Sequence, residues 1–320
     1  MKIFSVLKNR LISPVKTMFK EFGNRQFELG VIRFLSAVFK DSGIGNLFGK
    51  KVQSIIISQL EQEFSYVLNK YKDYRGDCEY DEQSPVWVSW MQGFDTAPDV
   101  VKKCIESIKN STKHPVNIVT EDNLMSFYDF PEYIMQKYRK GIISKAQFSD
   151  ILRMTLLSEY GGLWIDATIF IPEKLPEEIF EYEFYTCKRK PVISGYVSNY
   201  MWTSFLNGCQ KNCVVQKVNR ELFYEYWKKN NYLIDYLLVD YFMMIVYRNI
   251  PYAKQLIDNV PYNNSKIEEL QSRMSLPFNQ KDYDGLIHNS GTSLFKLSWR
   301  MPFDKTTKSG EKTYFGKFIE

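Results

Sequence analysis

Phe148-Ser149-Asp150-Ile151-Leu152-Arg153, followed by Glu159-Tyr160-Gly161-Gly162-Leu163-Trp164-Ile165-Asp166-Ala167-Thr168, decides how the chain is read. Asp150 and Arg153 lie three apart, so on a helix they share a face. Ile151 and Leu152 point away from that face, into a core. Gly161 and Gly162 end the helix, where a left-handed residue is needed. The chain then enters a short apolar strand, Leu163 to Ile165, and Asp166 falls just past its end. Ligands of open α/β sheets bind at the carboxyl ends of the strands. A carboxylate delivered there is placed to hold a divalent cation together with substrate phosphates. A helix-borne Asp–Arg pair beside it suits sugar hydroxyls and diphosphate, because the guanidinium fork makes two parallel charge-assisted bonds. Taken alone, the pair reads as an exposed ion pair worth at most about 1 kcal/mol.

Working outward, Val86 to Met91 reads as a strand, β-branched and aromatic, entered after Pro85 and left at Gly93. An amphipathic helix is expected over Ala97–Lys109, a second strand over Val116–Val119, and helical segments near Asp122–Tyr128 and Tyr133–Arg139. A longer helix is expected from Lys145 to Tyr160. Strands alternating with helices imply a parallel α/β sheet. Pro172 to Glu183 reads as a loop or short helix. Tyr232 to Tyr247 reads as a buried helix, too short and too charged to span a bilayer. Its Asp235 and Asp240 are five apart, about 140° around a helix, so both cannot face one site. Asp240 is the preferred site residue, with Asp235 nearer the helix start, where the dipole favours an acid.

The 320 residues carry a net charge of +5, unevenly spread. Residues 1–51 hold ten basic side chains, among them Lys2, Lys8, Arg10, Lys16, Lys20 and Arg25, against three acids including Asp41. Apolar residues recur among them at helical spacing, as in Phe4, Leu7 and Leu11, and again in Val31, Phe34, Leu35 and Val38. A basic, amphipathic end suits an anionic membrane surface better than nucleic acid; a solvated leader helix is the plainer reading. The expected division is a helical region over 1–80, closed by a polar linker at Gly76–Pro85, and an α/β domain over 81–320. No secretory signal is read at the start. Five cysteines form no paired framework and fit a reducing compartment. Cys209 and Cys213 have no partner pair nearby in sequence, which argues against zinc.

Ser149-Asp150-x-x-Arg153, seven residues, then Gly161-Gly162-x-Trp164-x-Asp166 resembles the sugar-binding region of a large glycosyltransferase group. That group includes the bacterial capsular polysaccharide synthesis family, fungal initiation-type mannosyltransferases and the large clostridial glucosylating toxins; the capsular family looks closest. The similarity covers Val86 to Phe170 and resumes weakly near the C-terminus. It implies a GT-A (Rossmann-like) core with a helical N-terminal extension, a nucleotide-sugar donor, Mn²⁺ or Mg²⁺, and retention at the anomeric carbon. It further implies that Asp150 binds sugar hydroxyls and Arg153 the sugar or diphosphate. Asp166 would be the first acid of an Asp-x-Asp motif, touching ribose and metal. Thr168 stands where the second acid usually stands. Val88 to Gln92, with Trp90 and Gln92, would line the nucleobase pocket, Trp90 by stacking. Lys296-Leu297-Ser298-Trp299-Arg300 resembles the capsular family's Lys-Leu-Thr-Trp-Lys ending. Lys296 and Arg300 would then neutralise diphosphate, and Trp299 would close as a lid.

His288, in Leu286 to Gly291 read as a strand and turn, is the second candidate metal ligand; His114 is read as incidental. Asn199 to Asn207, rich in aromatics and amides, is the candidate acceptor contact. The function expected is transfer of a hexose from a UDP-sugar to a lipid-linked oligosaccharide in surface-polysaccharide synthesis, at the cytoplasmic face of a bacterial membrane. A sugar-phosphate phosphotransferase and a non-catalytic scaffold remain as alternatives.

Overall fold

A computed structural model describes residues 13–24, 26–40, 42–191 and 195–320. The expectations on Lys2, Phe4, Leu7, Lys8, Arg10, Leu11, Arg25 and Asp41 lie outside the described residues. Helices Ser13–Gly23, Phe27–Val38, Gly43–Glu63 and Ser65–Tyr71 come first. The central sheet follows. Strands β1 (Val86–Ser89), β2 (Val116–Val119) and β3 (Gly162–Ile165) run parallel, with β1 in the middle. Helix Asp99–Ser111 carries the chain from β1 to β2, and helices Leu124–Phe127, Glu132–Arg139 and Lys145–Tyr160 lead back to β3. The α/β expectation, with a helical N-terminal extension, is what the chain forms.

A two-residue β4 (Ile169–Phe170) follows β3, then β5 (Phe184–Thr186) and β6 (Leu206–Cys209). These last two enter the sheet antiparallel, giving the order β2-β1-β3-β6-β5. The three strands read from the sequence are thus the parallel ones, and β5 and β6, absent from that reading, join them through antiparallel pairs. Helices Val214–Lys229, Leu238–Asn249 and Pro251–Asn259 then cover the sheet, and β7 (Phe295–Lys296) pairs with β4. Phe64, from the N-terminal helices, packs edge-on against Phe242 and tilted against Tyr226. One core therefore runs from the N-terminal helices through the sheet. A smaller core, built from Val100, Cys104, Leu286, Ile287, Phe295 and Leu297, fixes β7.

Two glycines set the approach to the site. Gly161, at φ 67°, closes the Lys145–Tyr160 helix and donates its N–H to Leu157 O at 2.9 Å. Gly162, at φ 94°, lies so close to the preceding strand entrance that a Cβ would sit 2.0 Å from Pro85 O. Only glycine accepts both the left-handed backbone and that contact. The pair turns the helix directly into β3, and register with β1 (Val86 opposite Leu163, Trp87 opposite Trp164) carries Asp166 just beyond the sheet.

Two sequence readings need correction here. Leu286 to Gly291 is not a strand: helix Gln280–His288 ends there, capped by Asn279, whose Oδ1 accepts from Asp282 N at 3.0 Å. Tyr283, Leu286 and Ile287 recur at helical spacing and pack into the smaller core. The Tyr232–Tyr247 helix starts only at Leu238. Asp235 precedes it, accepting from Leu237 N at 3.0 Å and pairing with Arg33 at 2.7 Å. Asp240, not Asp235, is the acid of the first turn.

Candidate active site

Ser144 caps the Lys145–Tyr160 helix, its Oγ accepting from Gln147 N at 3.3 Å. Phe148, Ile151 and Leu152 are fully buried and lock the helix against the sheet. That presents Asp150 and Arg153 towards the end of β3. Arg153 is only 4 % exposed, so the pair is not the exposed ion pair that the spacing alone suggests. It donates to Asp150 Oδ1 at 2.8 Å and to Asp166 Oδ1 at 3.3 Å, and its guanidinium lies 4.9 Å from the centre of the Trp164 ring. Arg153 thus clamps two carboxylates and stacks on the strand's own tryptophan.

Asp166 is held on every side. Trp164 Nε1 donates to its Oδ1 at 3.0 Å, and Lys296 Nζ to its Oδ2 at 2.8 Å. Lys296 reaches it because β7 pairs Lys296 with Ile169, three residues past Asp166. The same ammonium donates to Thr168 Oγ1 at 3.0 Å. Burial pushes the Asp166 carboxyl up, but Lys296 and then Arg153 outweigh it and hold it at about 2. For Asp150 burial wins over Arg153, and the carboxyl rises to about 6. Asp240 also rises to about 6, through burial first; Trp202 Nε1, donating at 2.9 Å, opposes the rise, and the charge of Asp150 adds to it.

Of these groups, Asp150, Arg153, Asp166, Thr168 and Lys296 border a cavity of about 590 Å³ at the carboxyl ends of β1 and β3. Ser89, Trp90, Asp150, Arg153, Asp166, Thr168, Lys296, Trp299 and Arg300 all line it. Trp90 and Trp299 meet edge to face, ring centres 5.6 Å apart, and Arg300 lies over Trp299. Ser89 Oγ and Trp90 Nε1 are buried without a hydrogen-bond partner. Buried polar atoms of that kind are rare unless something else satisfies them. A second cavity, of about 600 Å³, is lined by Arg189, Tyr200, Tyr262 and Asn263. It adjoins the first through Glu268, which borders the first cavity and pairs with Arg189 at 3.4 Å.

Most of the expected site residues meet here, and three do not line the cavity. Gln92 is exposed and outside the cavity wall, because the strand ends at Ser89 and the chain turns before reaching it. His288 is a surface residue whose Nδ1 lies 2.7 Å from Glu173 and whose Nε2 lies 3.9 Å from Asp284; it does not border the cavity. Asp240 stands behind the lining, bound to Trp202. The Asn199–Asn207 stretch splits: Tyr200 faces the second cavity and Ser204 the first, while Trp202 and Asn207 are buried. Trp164 and Glu268 were missed. Trp164 had a legible signal, an indole two residues before a strand-end acid.

The donor set does not fit a divalent cation. The place between Asp166 Oδ2 and Thr168 Oγ1 belongs to the Lys296 ammonium, and His288 is elsewhere. Among the described residues, the one cluster with metal-ligating types is Cys78, Glu183 and Cys213. The fold supplies Cys213 with neighbours that its sequence surroundings lack. There Glu183 already accepts from Cys78 at 3.0 Å and from Tyr252 at 2.6 Å, and none of the three borders the cavity. All five cysteines are unpaired. His114 stacks on Phe180 and holds Ser84 O at 2.8 Å, anchoring the polar linker.

No curated protein matches the sequence. Among solved structures, the PaToxG glycosyltransferase is similar at 15% identity over 67% of this chain and 84% of its own, with a TM-score of 0.36. A profile described as "Capsular polysaccharide synthesis protein" matches residues 38–318. With most of its length matched in this way, the chain belongs to the capsular polysaccharide synthesis protein family.

Proposed function

We propose that the protein is a retaining glycosyltransferase that moves a hexose from a UDP-sugar to a lipid-linked oligosaccharide in capsule assembly. The observation that carries this is the convergence of Asp150, Asp166 and Lys296 at the carboxyl ends of β1 and β3, beside the Trp90–Trp299 pair, in one cavity. A nucleobase stacks against Trp90, and the partnerless Ser89 Oγ answers its polar edge. Asp150, once ionised, accepts hydrogen bonds from sugar hydroxyls. Asp166, ionised throughout, accepts from ribose. Arg153 acts from beneath, fixing both carboxylates, and Arg300 approaches the diphosphate from the rim.

The chemistry needs positioning and leaving-group stabilisation more than an enzymic nucleophile. The C1–O bond to the β-phosphate breaks and its electron pair stays on the phosphate oxygen. The acceptor hydroxyl oxygen bonds to C1 on the same face, and its proton passes to the departing phosphate. The acceptor approaches from the Glu268 side, where the second cavity opens.

The basic N-terminal region supports a membrane-surface role. Lys16, Lys20, Lys40, Lys50 and Lys51 are exposed there beside exposed Phe19, Phe27 and Leu47. No described helix is long and apolar enough to cross a membrane. A panel of nucleotide sugars, with released nucleoside diphosphate as the readout, tests the reading. Release from one uridine donor, abolished by Asp150→Asn, is expected; no release from any donor contradicts it.

A further inference from the structure

We infer that Lys296 is the resident cation of this site, and that the protein binds its donor diphosphate without a divalent metal. This rests on the donor reading above. The geometry is specific. Lys296 Nζ sits 2.8 Å from Asp166 Oδ2 and 3.0 Å from Thr168 Oγ1, bridging the acid and the hydroxyl of the Asp166-Ala167-Thr168 segment. The other carboxylate oxygen of Asp166 is taken by Trp164 and Arg153. Each oxygen of Asp166 thus already accepts from a donor of this chain. A dication entering there would stand against a fixed ammonium and a buried guanidinium, a repulsion that one carboxylate and one hydroxyl do not offset.

The ammonium also has the valence for the task. Lysine carries three donors. Two are spent on Asp166 and Thr168, and the third remains for a phosphate oxygen in the cavity that Lys296 lines. Pairing with β4 and the smaller core beneath β7 hold the backbone of Lys296 in register, so the charge is fixed in place before the donor arrives. Fixed charge aimed at a leaving group is the arrangement that stabilises a departing diphosphate. The threonine at 168 fits the same logic. A second carboxylate there would compete for the same proton donor and call for a more highly charged ion. A hydroxyl instead accepts one ammonium hydrogen bond and adds no charge. Lys296 and Thr168 thus form a matched pair.

The test separates this inference from the donor reading. Manganese binding to the wild-type protein is followed by electron paramagnetic resonance, without nucleotide. UDP binding is then followed by calorimetry, once in chelator and once with Mn²⁺. The expected results are no manganese bound through Asp166, and UDP affinities agreeing within about twofold in the two conditions. Lys296→Met should lower UDP affinity about tenfold or more in both conditions. Lys296→Asp, by adding a carboxylate beside Asp166, should create a manganese signal that wild type lacks. Stoichiometric manganese on wild type that disappears in Asp166→Asn would overturn the inference. So would UDP binding that needs Mn²⁺, which leaves the donor reading intact. Failure to bind any nucleoside diphosphate in either condition overturns the donor reading, and with it the role of Lys296 towards phosphate.

Discussion

Asp150 and Asp166 are sixteen residues apart in sequence and share one guanidinium, yet their acidities diverge. Burial dominates at Asp150 and lifts it to about 6, whereas Lys296 and Arg153 overcome burial at Asp166 and hold it at about 2. The consequences have opposite signs. A raised carboxylate binds its proton better when folded, so Asp150 makes the fold gain stability as pH falls from about 6 towards the ordinary 3.8. Asp166 contributes stability that is present above 3.8 and lost as pH falls towards about 2. On the proposed role of Asp150 in donor binding, activity follows its ionised form, so kcat/KM should fall below pH about 6 while the fold holds. A rate profile flat from about pH 5 to about pH 7 would remove Asp150 from donor binding. Arg153 belongs to the same account. Replacing it by Met leaves Asp150 without its guanidinium partner, while Asp166 keeps Trp164 and Lys296, and should cost about 2–3 kcal/mol in urea unfolding. A loss under about 1 kcal/mol would mean that the pair behaves as an exposed one.

Elements differ in how far their sequence betrays them. The helix Lys145–Tyr160 and strand Val116–Val119 were readable to the residue, because a cap, a glycine stop and β-branched runs all agree. The site's heart was readable too, since Asp150, Arg153 and Asp166 sit at fixed offsets on one helix–turn–strand unit. What escaped were features that depend on partners distant in sequence. The resemblance drew notice to Lys296 as an expected partner for phosphate, but its seat between Asp166 and Thr168 comes from β4–β7 pairing across more than a hundred residues. His288 was misplaced because Leu286-Ile287 reads equally as strand or helix; only Tyr283 and the small core choose helix. Cys78 meets Cys213 for the same long-range reason. The helix–strand turn itself yields a sharp test. Gly162→Ala forces a methyl against Pro85 O and a disfavoured φ, and should destabilise by at least about 2 kcal/mol. A variant with unchanged melting temperature would mean that the turn relaxes freely.

At the scale of the whole molecule, a basic, partly apolar helical region shares one core with a sheet that carries the cavity. That continuity would let a surface-bound lipid acceptor and a donor be presented in fixed relation. Charge reversal at Lys16 and Lys20, both exposed, should weaken binding to vesicles rich in anionic lipid and leave neutral vesicles unaffected. Unchanged sedimentation with anionic vesicles would detach the N-terminal region from any membrane role. The family assignment places the chain in capsule synthesis, and the cavity gives that assignment a chemistry. The most direct measurement of the central claim is hydrogen–deuterium exchange with and without a uridine sugar nucleotide. Protection confined to residues 86–91, 145–168 and 295–300 is the expected result. Protection elsewhere, or none with any nucleotide sugar, would contradict the account.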